Sequence, residues 1–241
     1  MRTLIISDIH ANLTAFEAVL EAAGEFERVW FLGDVVGYGP DPNECIELLR
    51  NQPKLQALMG NHDAALLNFI PIDRFNAEAR EAIQIQHGMI SDENEFFLET
   101  MRISLQIDGM TLVHGSPQNP IWEYILNYQT AKKNFHEFST RGCLVGHSHI
   151  QCVFIMTEEN RIQLLVPEAG DRWKAEGRFI LNPGSVGQPR NLDPRASFVI
   201  WDDETDIFEF RRVEYDVESV AKRIRTLGIP ERQATRLFTG S

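Results

Sequence analysis

The stretch RTLIISDIHANLTAFEAVLEAAGEFERVWFLGD, Arg2–Asp34, decides the fold. It opens on a short apolar run, Thr3–Ser7, that reads as a strand. Leu13, Phe16, Val19, Leu20 and Ala23 then recur at helical spacing, with Asn12 placed to cap the first turn and Gly24 placed to stop the last. Arg28–Leu32 is a second apolar run with the length of a buried strand. Strand, helix and strand in this order predict parallel pairing, with helices covering the sheet.

Working outward, the pattern repeats once more. Pro40 and Pro42 introduce a predicted helix over Asn43–Arg50, and Leu55–Met59 reads as a third strand running into GNHD. Helical periodicity follows over Asn76–His87 and Asp92–Met101. The second half is richer in strands. Ser104–Ile107 and Met110–Val113 flank Asp108–Gly109, a dipeptide suited to a tight hairpin turn. A helix near Thr130–Phe138 precedes a strand ending at Val145, and Cys152–Met156 with Gln163–Val166 read as a second hairpin. Phe179–Leu181, Ser197–Trp201 and Ile207–Arg211 continue the strands, and the tail is helical over Val217–Leu227 and Glu231–Phe238. There is no internal repeat, low-complexity tract or linker, so residues 1–241 are expected to form one domain.

The polar residues at the ends of these apolar runs are not a random set. They are Asp8 and His10 in SDIH, Asp34 in LGDVVG, Asn61 in GNHD, His114 in LVHGS, and His147 and His149 in GHSH. Five of the seven histidines of the chain fall inside these stretches, His62 among them. Open α/β sheets place their sites in the loops beyond the carboxyl ends of the strands, so the seven residues are expected to converge. Asp-x-His and His-x-His put both side chains on one side of an extended or turning backbone. Imidazole, carboxylate and amide donors together suit Mn, Fe, Zn, Co or Ni, and their number suits two ions. The scarcity of thiolates argues against a structural zinc site. Taken singly, Asp34 and Asn61 are ordinary turn or cap residues and His114 an ordinary strand-end polar group; the ordered set is what carries the reading.

The five blocks DIH, GD, GNHD, VHG and GHSH, in this order, resemble the motif series of the calcineurin-like metallophosphoesterase superfamily. The run NPGSVGQPR, Asn182–Arg190, further resembles its small bacterial and archaeal phosphodiesterase branch. The resemblance implies an α/β fold, a four-layer α/β/β/α sandwich of two mixed sheets with helices outside. It implies that Asp8, His10 and His149 hold a first divalent or transition metal ion and Asn61, His114 and His147 a second, with Asp34 bridging both. It further implies a metal-dependent phosphoric ester hydrolase in which a metal-bridging hydroxide attacks in line. His62 would contact the substrate and protonate the leaving oxygen, and Asp63 would orient His62 or act as a supporting partner. The expected substrate is a small phosphodiester or nucleotide-type molecule. The alternatives are a phosphomonoesterase, including a protein phosphatase or a dinucleoside polyphosphate hydrolase, and a metal-binding scaffold without catalysis.

Several residues outside the ligand blocks have two readings each. Arg190 and Arg195 either bind phosphate or pair with acids such as Asp193. The aromatic stretch IWEYILNY, Ile121–Tyr128, lines a cleft or an oligomer contact, but packing into the core is expected for most of it. His87 and His136 are read as surface or interface residues, and Cys45, Cys143 and Cys152 as apolar filler. A net charge of −12 argues against a stable nucleic-acid partner, which needs a basic face. No apolar stretch approaches the roughly 20 residues that span a bilayer. Three widely spaced cysteines and no leader-like segment make a cytoplasmic location the expectation.

Overall fold

Alternation along the strands fixes the layers. The computed structural model describes residues 1–241. In β1 (Arg2–Ile6), Leu4 and Ile6 face one apolar cluster while Ile5 faces another. β2 (Arg28–Phe31) repeats this, sending Val29 and Phe31 one way and Trp30 the other. A strand apolar on both faces must be covered on both. The outer cover of this first sheet comes from α1 (Leu13–Ala23) and α2 (Pro42–Arg50), whose Phe16, Val19, Ile46 and Leu49 join the outer cluster. Asn12 caps α1 by accepting from the backbone of Ala15, and Gly24 closes it at φ +67°. β3 (Gln56–Ala57) is only two residues long and pairs parallel with β2. It is shorter than the Leu55–Met59 expected, because Leu58 already leaves the ladder for an isolated bridge to Arg102.

The GNHD block, expected to be a strand end, is also the start of a helix, α3 (Asn61–Leu66). α4 (Ala77–His87) and α5 (Asp92–Glu99) follow, capped by Asn76 and Ser91. β4 (Ser104–Ile107) and β5 (Met110–Val113) form an antiparallel hairpin. Asp108 and Gly109 take φ of 48° and 75°, the all-positive turn that matches strand twist. α6 (Tyr128–Asn134) is shorter than predicted, and β6 (Gly142–Leu144) runs parallel to β5. β7 (Cys152–Met156) pairs antiparallel with β8 (Ile162–Leu165). Then come β9 (Arg172–Lys174), a strand without a sequence signal, β10 (Arg178–Asn182), β11 (Ala196–Asp202) and β12 (Ile207–Val213). The chain ends in α7 (Val217–Thr226) and α8 (Glu231–Thr235), followed by a 3₁₀ turn over Arg236–Phe238.

The first sheet has the order β3-β2-β1-β11-β12-β9 and the second β4-β5-β6-β10-β7-β8. Both are mixed, with parallel neighbours β1–β2–β3 in one and β5–β6–β10 in the other. Their inner faces meet over one core that includes Ile5, Trp30, Leu112, Leu181, Trp201 and Phe208. The second sheet's outer face, with Val113, Cys143, Phe154 and Ile180, is covered by Ala131 and Phe135 at α6. The result is the α/β/β/α sandwich of two mixed sheets. All three cysteines are free and buried, as apolar filler would be. No helix is long and apolar enough to cross a membrane.

Candidate metal centre

The parallel strands of both sheets deliver their carboxyl ends to one edge of the sandwich. Asp8 and His10 follow β1, Asp34 follows β2, and Asn61 follows β3. His114 directly follows β5, and His147 and His149 lie in the loop after β6. The loops are tied together by the backbone: Asp8 N–H donates to Gly33, His10 N–H to Asp34 and Gly146 N–H to His114. The 182–187 stretch braces them from below, where Asn182 Nδ2 donates to Gly146 O and Ser185 Oγ to Asp8 O. Gly60 is required by crowding, because a Cβ there would collide with the Asp34 carboxylate.

All seven expected ligand residues are buried, at 3 % exposure or less. Backbone carbonyls set three of the four ring tautomers. Nδ1 of His10 donates to Val36 O, Nδ1 of His149 to Gln188 O and Nδ1 of His114 to Leu32 O. A neutral ring that donates from Nδ1 has only a lone pair at Nε2. Yet His10 Nε2 faces His149 Nε2 at 3.1 Å, and His114 Nε2 faces Asn61 Oδ1 at 3.0 Å. Lone pairs directed at one another in a buried site call for a proton or a cation between them.

The carboxylates complete two groups. Asp8 Oδ1 has no hydrogen-bond partner and lies 3.1 Å from His149 Nε2 and 3.7 Å from His10 Nε2. Asp34 uses Oδ1 to accept from the His62 N–H and leaves Oδ2 unpartnered, 3.3 Å from His114 Nε2 and 3.7 Å from His10 Nε2. His147 Nε2 is likewise buried without a partner. The donor atoms of Asp8, His10 and His149 lie within 4.8 Å of one another, as do those of Asp34, His114 and His147. Asp34 Oδ2 stands between the two groups. His10, Asp34 and His62 form a third such trio, so proximity alone does not separate His62 from the ligand set.

Electrostatics follow the same division. Burial pushes His10 and His149 well below the ordinary histidine range and His147 down to about 3, which keeps these rings neutral. Burial acts on His114 too, but the Asp34 carboxylate outweighs it and raises that ring to about 9. The one ring that holds a proton firmly is thus the one whose Nε2 meets both an amide and a carboxylate oxygen. A cation would replace that proton. Orphaned carboxylate oxygens, oriented imidazoles and an amide oxygen fit oxygen- and nitrogen-liganded divalent or transition ions.

The residues around the ligands take less expected places. Asp63 does not orient the His62 ring. Its carboxylate accepts from the backbone N–H groups of Asp34, Val35, Val36 and Gly60, so it shapes the Asp34 loop instead. Burial pushes the Asp63 carboxyl up to about 7 against the pull of those bonds, with Asp34 adding to the rise. His62 is packed between Tyr38 and Phe75, at ring distances of 4.5 and 5.0 Å, with its Nδ1 unpartnered. Burial lowers it to about 4.

A cleft of about 300 Å³ opens over Asp34, Asn61, His62, His147 and His149. Arg190 lines it, bonded to Tyr38 and Gln188 and to no acid. Arg195 instead forks onto Asp193, so only the first of the two arginines is free for an anion. Tyr38, Arg74, Phe75 and Asn76 in the cleft wall carried no local signal in the sequence. In the aromatic stretch only Ile125 is buried; Trp122 and Tyr124 line the cleft, and Leu126 and Tyr128 are exposed. Core packing is thus confined to Ile125 and, in part, Trp122 rather than most of the stretch, because the segment runs as an irregular loop beside the ligands rather than under a sheet.

Comparison with known proteins agrees with this geometry. The sequence profile of the calcineurin-like phosphoesterase superfamily domain matches residues 1–206. The chain is 37 % identical over 244 residues to an uncharacterised protein of Methanocaldococcus jannaschii, covering 98 % of this chain and 97 % of that one. It is 43 % identical to a metallophosphoesterase from Sphaerobacter thermophilus of known crystal structure, with a TM-score of 0.92 and coverage of 100 % and 99 %. A shorter likeness, 35 % identity over 71 residues, links it to the symmetrical bis(5'-nucleosyl)-tetraphosphatase of Buchnera aphidicola subsp. Acyrthosiphon pisum, covering 28 % of this chain and 26 % of that one. With the ordered donor blocks, the two-sheet sandwich and a profile match over most of its length, the chain belongs to the calcineurin-like phosphoesterase superfamily and is a metal-dependent phosphoric ester hydrolase.

Proposed function

We propose that the protein hydrolyses a phosphodiester or nucleotide-type ester with two divalent or transition metal ions. Asp8, His10 and His149 would hold one, Asn61, His114 and His147 the other, and Asp34 both. The observation that carries the reading is the pair of buried donor groups, with facing Nε2 lone pairs and unpartnered carboxylate oxygens, joined at Asp34 Oδ2. Ions bound there supply Lewis-acid stabilisation of phosphoryl charge and a water of lowered pKa.

The chain's own groups supply the rest. His62 lines the cleft beside the donors, and its ring donates a proton toward the leaving oxygen; the negative charge of the ester opposes the burial that lowers its basicity. Arg190, free of any acid, meets the non-bridging oxygens of the ester. Asp63 holds the loop of Asp34 through three backbone bonds and ties it to Gly60 through a fourth, which fixes the carboxylate before substrate arrives.

Turnover of bis-p-nitrophenyl phosphate and p-nitrophenyl phosphate with added Mn²⁺, Co²⁺, Ni²⁺ or Zn²⁺ tests this. Hydrolysis of the diester in preference to the monoester is expected; no turnover of either with any ion would leave a metal-binding scaffold. His62→Ala should keep its metal content and lose roughly 10²–10⁴ in rate. A parallel loss of metal would make His62 a ligand, as its place beside His10 and Asp34 allows. The local likeness to a symmetrical tetraphosphatase favours a second reading, a dinucleoside polyphosphate substrate, which direct assay of such a substrate separates from the first.

A further inference from the structure

The loop between β5 and α6 uses buried polar groups to fix two aromatic side chains, Trp122, which is half-buried against the outer cluster, and Tyr124, which is exposed. Glu123 lies between Trp122 and Tyr124, and its Oε2 accepts from Ser116 Oγ at 2.6 Å and from Asn134 Nδ2 at 2.8 Å. Ser116 and Asn134 are fully buried. Asn134 Oδ1 also takes the N–H of Gln118, and Ser116 Oγ takes that of Asn119. Trp122 and Glu123 both donate their backbone N–H to Asn119 O. An irregular loop tied at this many points is rigid, and what it presents is a pair of rings in the wall of the catalytic cleft.

The rings have a layout suited to a planar ligand. Tyr124 stacks on His147, with centroids 3.8 Å apart and planes 15° apart, yet 43 % of the residue stays exposed. One ring face is covered by a proposed ligand and the rest opens outward. Trp122 packs against Phe75 at 4.9 Å, and Phe75 in turn packs against His62, so an unbroken aromatic wall runs outward from the proton donor. Arg74 lies over Trp122 at 5.3 Å without an acidic partner, and Arg190 closes the other side of the cleft over Tyr38 at 5.8 Å. An exposed tyrosine ring, a half-buried tryptophan ring and guanidinium groups without acidic partners around one cleft, in a chain of net charge −12, match a ligand that is planar at one end and anionic at the other.

We infer that Trp122 and Tyr124 form a stacking subsite for a nucleobase carried by the ester, so that the substrate class is a nucleoside phosphodiester. This rests on the hydrolase reading above and adds the group that selects among esters. The wall is sequence-tolerant chemistry, because every base offers a π face, so a preference for nucleosides over alkyl groups is expected rather than a preference among bases.

Two p-nitrophenyl diesters that release the same phenol test it: thymidine 5'-(p-nitrophenyl phosphate) and methyl p-nitrophenyl phosphate. The thymidine ester should have the higher kcat/KM, and Trp122→Ala or Tyr124→Ala should lower the ratio of the two by about 5- to 100-fold, the range of a lost base-stacking ring. Equal kcat/KM for the two esters in the parent protein, or an equal fall for both in both variants, would overturn the subsite. A second measurement separates its failure from that of the hydrolase reading. Calorimetric titration of the Mn²⁺-treated protein with AMP and with ribose 5-phosphate should show tighter binding of AMP, a difference that the two variants lose. If no ester is turned over, the hydrolase reading fails, and this titration alone decides the subsite: AMP bound more tightly supports it, equal affinities overturn it.

Discussion

Each sheet has parallel and antiparallel parts, side by side in the first sheet and with the parallel strands flanked by antiparallel pairs in the second, and the two behave differently. β1, β2 and β3, with β5 and β6, end in the loops that carry every proposed ligand. β11, β12 and β9 contribute the aromatic core, where Phe208 stacks on Trp201 and meets Trp173 and Phe179, but no residue of the centre. Parallel neighbours all point their carboxyl ends the same way, so their loops gather at one edge; antiparallel neighbours scatter theirs to both. The division of labour follows from strand direction more than from composition.

That contrast can be broken from either side. The largest effect is expected in the parallel part: Asp34→Ala removes the oxygen placed between the two donor groups. Its rate should fall by roughly 10⁴, several kcal/mol of lost charge stabilisation, with metal content falling by elemental analysis. In the antiparallel part, Phe208→Ala should destabilise by about 3–5 kcal/mol in denaturant unfolding. The folded fraction of that variant should keep the parent kcat, and a large kcat loss in it would show that the two parts are coupled.

The smallest effect concerns the loop that leads into β11, under acid. Bonds from Arg195, then from Arg212, hold the Asp193 carboxyl below the usual range against the opposing effect of burial. A group depressed in the folded state stabilises above its unfolded value, near 3.9, and the benefit is lost as the pH falls through the folded value. Asp193→Asn should therefore cost about 1 kcal/mol or less at pH 7, and the deficit should shrink as the pH is taken well below 4. A deficit that persisted unchanged at pH 2 would mean that packing, not charge, is lost.

Much of the architecture was legible because it is local. Residues 2–34 gave strand, capped helix and strand by period alone, and the observed α1 spans the predicted Leu13–Ala23. The hairpin at Asp108–Gly109 was legible for the same reason. β9 was not: three residues at a sheet edge have no period to detect. α3 was hidden because Asn61, His62 and Asp63 read as site residues at a strand end, although Ala64, Ala65 and Leu66 favour a helix. The antiparallel docking of β11 against β1, which pairs Arg2 with Asp202 and Ile5 with Val199, is a tertiary choice without a local signature.

At the site, the donor blocks could be read in order, but the cleft could not. Tyr38 comes from a loop and Arg74 and Phe75 from the end of a 3₁₀ turn, segments that meet only in the folded chain, and nothing in their spacing announces it. Trp122 and Tyr124 could have been found from aromatic residues concentrated after His114, yet apolar content alone favoured the core. The role of Asp63 was open because one carboxylate can serve a ring or a backbone, and only the bonds decide.

Among the thirteen non-glycine residues with positive φ are Asp8, His10, Asp34, His147 and His149. Left-handed backbone at a side-chain-bearing residue costs on the order of 1–3 kcal/mol and persists only where the surroundings impose it. Glycine at any of these five positions would relieve that cost while deleting a donor. Laboratory selection for thermal tolerance alone, with no screen for turnover, would therefore collect glycines along this edge and erase the centre while improving the scaffold.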